Sequence, residues 1–375
     1  MTRHEVRRDG LRDETPEREA LIGAKGGRRP GRGGEMVPPA EFRSYYGRSV
    51  LKPPVWSARD IAGYLFLGGV AGGAALLAAG GDLTGRGSMR RAGRLISAGA
   101  TGLGLAALIH DLGRPARFAH MLRVLKPTSP MSVGTWLLGG FGPLVGAAAA
   151  AELVGAATAA GVSGALPPSA GAAVRALGRS SGLAASLVAP ALTTYTGVLI
   201  ANTAVPLWHD AHRELPYLFG ASALAGAGGL VAASTAVDEA GPARAAGIAG
   251  VLMEQALDRR IHKRLGMVAE PLDQGYPGRL MRASRLAGRA GAVLLAGSAL
   301  RRSKALDVAG GLALAASSLL ARFGYFHAGN ASATDPRYTV VPQRERADRA
   351  GSVGAQHPAD LGGGRGVRGE GQEPA

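Results

Sequence analysis

IAGYLFLGGVAGGAALLAAGG, residues 61–81, contains no charged side chain and no proline. Its length matches the roughly 20 apolar residues that a helix needs to cross about 30 Å of hydrocarbon. Backbone groups in lipid must bond within their own segment, so a run this long reads as a transmembrane helix. Its GGVAGG core sets Gly68 over Gly72 and Gly69 over Gly73 at helical spacing, giving small faces on which other helices can pack closely. Working outward, comparable Ala, Gly, Leu and Val runs recur at 93–110, 133–157, 182–204, 215–237, 241–257, 286–300 and 305–327. They predict an all-α integral membrane protein of about eight transmembrane helices. The sixth and seventh runs are the weakest, because Arg244 and Glu254 shorten one and Arg289 trims the other.

Of the 375 residues, 46% are apolar and 59 are glycine, a composition that fits soluble domains and a membrane bundle alike until the clustering of the apolar residues is considered. The net charge of +16 would suggest a nucleic-acid surface in a soluble protein. Here the arginines sit in tails and loops beside apolar runs, so membrane lipid, not nucleic acid, is the expected partner. The absence of cysteine excludes a disulfide or an iron-sulfur cluster held by this chain. Residues 1–52 and 331–375 are rich in charge, Gly and Pro and lack apolar periodicity, which predicts disordered polar tails around a transmembrane domain at 53–330. The pairs Arg7-Arg8 and Arg28-Arg29 have no apolar segment after them and read as basic tail, not as a targeting signal. An even number of spans puts both termini on one side, and positive-inside counting makes that side the cytoplasmic face of the plasma membrane.

Chemistry concentrates in HDLGRPARFAHMLRVLKPTSPMSVGTW, residues 110–136. His110, Asp111, Arg114, Arg117 and His120 crowd one helix end before Ser129-Pro130 starts the next helix. An arginine that keeps a carboxylate ionised beside a titratable histidine suits proton exchange. A plain polar loop, with Asp and Arg paired to each other and to lipid phosphate, is the competing reading.

The same residues resemble the NrfD/PsrC family, the membrane subunits of polysulfide reductase, nitrite reductase and related molybdoenzyme complexes. The resemblance rests on Trp56 with YLFLGGVAGGAALLAA (64–79), DLGRPARF (111–118), KPTSPMSVGTW (126–136) and, more loosely, TYTGVLIANTAVPLWHD (194–210), and it covers roughly residues 56–220. It implies two four-helix bundles and a quinone or quinol partner, menaquinone or ubiquinone, without haem. It also implies a four-cluster ferredoxin-like iron-sulfur subunit docked on the surface and a molybdopterin catalytic subunit beyond. On its own the chain would be inactive. The positions that match the family's quinone-headgroup site are Tyr64, Asp111 and Tyr195, and at Tyr64 the family's polysulfide reductase carries a histidine instead.

Quinol oxidation requires a hydrogen-bond partner for each oxygen and a group that takes the proton, roles suited to phenols and to a carboxylate beside arginine. His110, Asp111, Arg114 and Glu152 are the proton-transfer candidates. Glu152 stands inside the third run, where a charge costs on the order of 2.5 to 3.5 kcal/mol, so it reads either as part of a proton path or as a residue near enough to the helix end to reach water. Asn202, Glu254 and Arg322 are further intramembrane polar groups. Arg117, His120, His209 and Asp210 form a candidate docking surface, and Trp208 reads equally well as an interfacial belt residue. His209 and His212 lack a third ligand at helical spacing, so no metal site is expected. His110, His209 and His327 fall at helix ends on one side, which disfavours a two-haem anchor. A secondary transporter and a purely structural anchor are the alternatives. The absence of repeated halves in the sequence argues against the first.

Overall fold

The computed structural model describes residues 51–355 apart from 53, 55, 115, 116 and 163–166. The expected tail at 1–50 and its counterpart at 356–375 lie outside the described residues. Residues 51–334 form one compact unit. Its long helices are α1 (Ala58–Leu83), α2 (Gly87–Asp111), α4 (Pro130–Ala159), α5 (Pro168–Ala201), α7 (Leu215–Ser234), α8 (Gly241–Leu265), α9 (Gly275–Arg301) and α10 (Lys304–Thr334). Two five-residue helices, α3 (Arg117–Met121) and α6 (Pro206–Asp210), lie in connections, and a 3-10 turn, Gly266–Leu272, joins α8 to α9. The architecture is an all-α membrane protein. Six of the long helices, α1, α2, α4, α5, α7 and α10, are long and apolar enough to cross a membrane, whereas α8 and α9 do not meet that composition.

Helix ends follow from local chemistry. Ser57 caps α1 by accepting from the Asp60 amide at 3.4 Å, and Ser129 caps α4 ahead of Pro130, which needs no amide partner at the first turn. Gly113, with φ at 66°, takes the left-handed turn that releases the chain from α2. Charges do not end these helices where the sequence predicts. α5 starts at Pro168 instead of 182, and α8 runs past 257 to Leu265. Arg244, expected to shorten its span, is buried with a carboxylate of its own: Nε and Nη2 donate to Asp307 at 2.6 and 2.7 Å.

α1 packs against α2, α5, α7 and α10 and is the most enclosed helix of the first half. The two glycine faces divide the work. A methyl added at Gly72 would lie 2.6 Å from Thr193 of α5, while one at Gly69 or Gly73 would lie 2.9 or 2.6 Å from Ala223 or Ala227 of α7. With little hydrophobic drive in lipid, this approach supplies dispersion contact along the whole interface. α1, α2, α4 and α5 form one four-helix group, and α7 to α10 form the other.

Within the expected C-terminal tail, residues 331–334 complete α10 and Arg337–Ala355 forms a helix, α11. Within this last turn of α10, Ser332 donates its hydroxyl to the Gly329 carbonyl at 2.7 Å and Thr334 to the Ala331 carbonyl at 3.0 Å.

Candidate functional site

Successive helices alternate in direction, so the start of α1 and the ends of α2 and α5 share a rim with the start of α4. Asp111 closes that rim: its carboxylate accepts from the Ser57 amide at 3.2 Å, tying the end of α2 to the beginning of α1. His110, next in line, reaches Asp60 at 3.2 Å, but its side chain is 79% exposed, so the pair contributes little. Arg114, Arg117, His120 and His209 are exposed on the same rim and Asp210 is half-buried there. Pro115 and Ala116, in the middle of the DLGRPARF motif, lie outside the described residues.

Tyr64 and Tyr195 come together beneath this rim. Tyr64 lies seven residues into α1 from Ser57, which at 1.5 Å per residue sets it ~10 Å below Asp111's contact point. It is buried against Gly104 of α2 and has no hydrogen-bond partner among the described residues. Tyr195, six residues before the end of α5, lies at a similar depth and donates to the Pro130 carbonyl at 2.7 Å. The Tyr195 ring fills the space above Gly134, where any added methyl would collide with the phenol. The motif KPTSPMSVGTW therefore acts through its backbone: Pro130 supplies the acceptor and Gly134 the clearance. Two of the three expected site residues share a level, and Asp111 stands about two turns above them.

Glu152 does not join this group. It lies 22 residues beyond Pro130 on α4, ~33 Å along the helix, at the opposite rim. There Arg90 Nε donates to it at 2.6 Å and Arg94 Nη1 at 3.0 Å, and Arg94 also pairs with Asp82. Glu152, expected either in a proton path or near enough to the helix end to reach water, lies in a buried ion cluster that joins α1, α2 and α4. The sequence signal for it is Arg90 and Arg94 at i, i+4 on α2. It was missed because the expected span starts at 93.

Trp208 is fully buried instead of lying in an interfacial belt. It donates to the Tyr325 carbonyl at 2.8 Å and stacks on Trp56 at 6.2 Å, with Gly329 giving it room. α6 is thus pinned beneath the Asp111 rim. In the second half, Arg322 is fully buried, donates to the Phe219 carbonyl at 2.6 Å and sits 3.8 Å above the Phe219 ring, with the buried Glu254 as its charge partner. Asn202 is exposed beyond the end of α5. Among the described residues no three His, Asp or Glu side chains converge as a metal-ligand set.

A family model described as polysulphide reductase, NrfD, matches residues 51–256, from α1 into α8. No curated protein matches the chain.

Proposed function

This chain belongs to the NrfD family, polysulphide reductase NrfD, and from that premise we propose that it is the quinone-reacting membrane subunit of a multi-subunit oxidoreductase. The observation that carries the proposal is that Tyr64 and Tyr195 are both buried at one level about two turns beneath Asp111, at the rim that also presents Arg114, Arg117, His120 and His209. A phenol with unused hydrogen-bond capacity fits a quinone oxygen, so the residues present suit such a group. Quinol, when bound, supplies two electrons and two protons as it becomes quinone.

Tyr64 would hold one oxygen by donating its hydroxyl. Tyr195 keeps its own proton on Pro130 and offers the lone pairs of its oxygen. Asp111 would accept the two protons in turn at the rim and release each to water, because one of its oxygens receives the Ser57 amide and the other has no hydrogen-bond partner among the described residues. With no cysteine in the chain, the electrons must leave to centres held by another subunit. We assign that acceptor to a four-cluster iron-sulfur subunit seated on the Arg117, His120, His209 and Asp210 surface, with a molybdopterin subunit beyond it. Menaquinone and ubiquinone both fit the chemistry.

The test is Asp111→Asn in the assembled complex, followed by quinol oxidation. The amide oxygen still accepts from Ser57, so assembly should survive while turnover falls by about a hundredfold or more, the usual scale for losing a positioned proton acceptor. Unchanged turnover in the intact complex would remove Asp111 from the reaction.

A further inference from the structure

A cavity of about 870 Å³ opens at the rim opposite the tyrosines, between α2, α4 and α5. Five arginines line it, Arg90, Arg91, Arg94, Arg175 and Arg179, against two carboxylates, Asp82 and Glu152, leaving three positive charges in excess. The carboxylates are already committed. Arg94, 6% exposed, bonds Glu152 at 3.0 Å and pairs with Asp82, and Arg90 bonds Glu152 at 2.6 Å. Arg91 approaches Glu152 no closer than 3.7 Å. Arg175 and Arg179, one helical turn apart on α5, have no carboxylate partner among the described residues. Arg94 Nε is buried without a hydrogen-bond partner.

Depth and surroundings narrow the ligand. Arg175 and Glu152 each stand seven residues from the end of their helix, ~10 Å inside it. Apolar Val154, Pro167 and Val174 share the lining with the arginines, and Leu153 and Leu177 project outward beside it, 57% exposed. Guanidinium forks facing a partly apolar wall at helix ends match a phosphate that carries hydrocarbon, since Arg binds phosphate oxygens bidentately.

We propose that this cavity binds the phosphate group of an anionic phospholipid, gripped by Arg175 and Arg179 with Arg91 alongside. The Arg90, Arg94, Asp82 and Glu152 lattice forms its rigid floor. The site is independent of the quinone reading, because it lies at the other rim and uses none of the same residues.

The experiment uses the full chain in its complex, reconstituted in phosphatidylcholine nanodiscs with or without phosphatidylglycerol, with inorganic phosphate as a separate arm. Binding is read by thermal shift and by native mass spectrometry. Phosphatidylglycerol should raise the melting temperature and remain bound. Arg175→Gln with Arg179→Gln should weaken that binding by about tenfold or more, the scale of one lost charged hydrogen bond. Arg301→Gln with Arg302→Gln, at the same rim outside the cavity, should leave it unchanged. If the glutamine pair fails to assemble, Arg175→Lys with Arg179→Lys keeps the charge, removes the fork and should still weaken binding. Stabilisation by inorganic phosphate, abolished by the same substitutions, would identify a soluble phosphate as the source and keep the site. Equal phosphatidylglycerol binding by wild type and the Arg175, Arg179 variants, or equal loss in the Arg301, Arg302 control, would overturn the proposal.

Discussion

The two ends of the first four helices hold polar groups in opposite conditions. At one end, Asp82, Arg90, Arg94 and Glu152 are packed into mutual ion pairs with almost every oxygen used. At the other, Tyr64 is buried with no hydrogen-bond partner for its hydroxyl among the described residues, and Asp111 spends one oxygen on a backbone amide. Carboxylates whose oxygens are already engaged resist exchange of protons and ligands, because each bond lost inside a low-dielectric site leaves an unpaired group behind. An unsaturated one is available for chemistry. Carboxylates therefore serve as a clamp at one end and as part of a reactive pocket at the other according to how many partners each has.

Breaking the clamp should produce the largest effect. Glu152→Ala leaves Arg94 and Arg90 facing each other and Asp82 without their shared counter-ion. The cost of stranding one partner of a buried ion pair is about 3 to 5 kcal/mol. The expected outcome is a steep fall in the melting temperature of the purified complex and in its yield. Glu152→Gln should recover only part of it, since the amide restores a hydrogen-bond acceptor but no charge. If Glu152→Ala kept normal stability and instead slowed quinol turnover selectively, the division of labour between the two ends would fail, and Glu152 would return to the proton path.

Gly134→Ala tests the other end and should have a smaller structural cost. The added methyl meets the Tyr195 ring, which must move from its bond to the Pro130 carbonyl. Overpacking of this kind costs about 1 to 3 kcal/mol. Because the displaced phenol belongs to the proposed quinone site, activity should suffer more than stability: turnover should drop about tenfold or more in a complex that still assembles, measured as quinol oxidation against melting temperature. Equal losses in both would mean that Tyr195 only packs.

Much of this contrast was legible in the sequence, and its limits have a physical origin. Uncharged runs such as 61–81 locate helix centres well, since no alternative satisfies their backbone in lipid. Helix ends are poorly marked, because a helix continues past the hydrocarbon wherever its arginines reach a partner or water. Thus Arg175 and Arg179 looked like loop but belong to α5, and Arg90 fell outside the expected second span although it is the partner of Glu152. Asp111 stood out from its charged neighbourhood. The pairing of Tyr195 with Gly134 and Pro130 depends on how α4 and α5 meet, which no local pattern encodes. Trp208 was ambiguous for a similar reason: its burial depends on Trp56 and Gly329, which lie far away in the chain.

Not every group at the Asp111 rim is unsaturated, and the smallest expected effect comes from one that is saturated. Glu214, just before α7, is almost fully buried, and burial alone would raise its carboxyl. Arg264 overcomes that by donating from Nε at 2.8 Å, Arg260 adds its charge at 3.5 Å, and the net result holds Glu214 below the ordinary glutamate value of 4.5. A carboxyl that is more acidic when folded stabilises the fold fully above its unfolded value. That stability is lost as pH falls through the lower folded value, since the unfolded chain binds the proton first. The contribution of the Glu214–Arg264 pair to melting temperature should therefore be constant at neutral pH and decline only below about 4.5. Arg264→Gln should lower the neutral-pH melting temperature modestly and flatten the acid-side decline. An equally steep decline in this variant would show that the acid sensitivity of the protein does not arise at the Glu214–Arg264 pair.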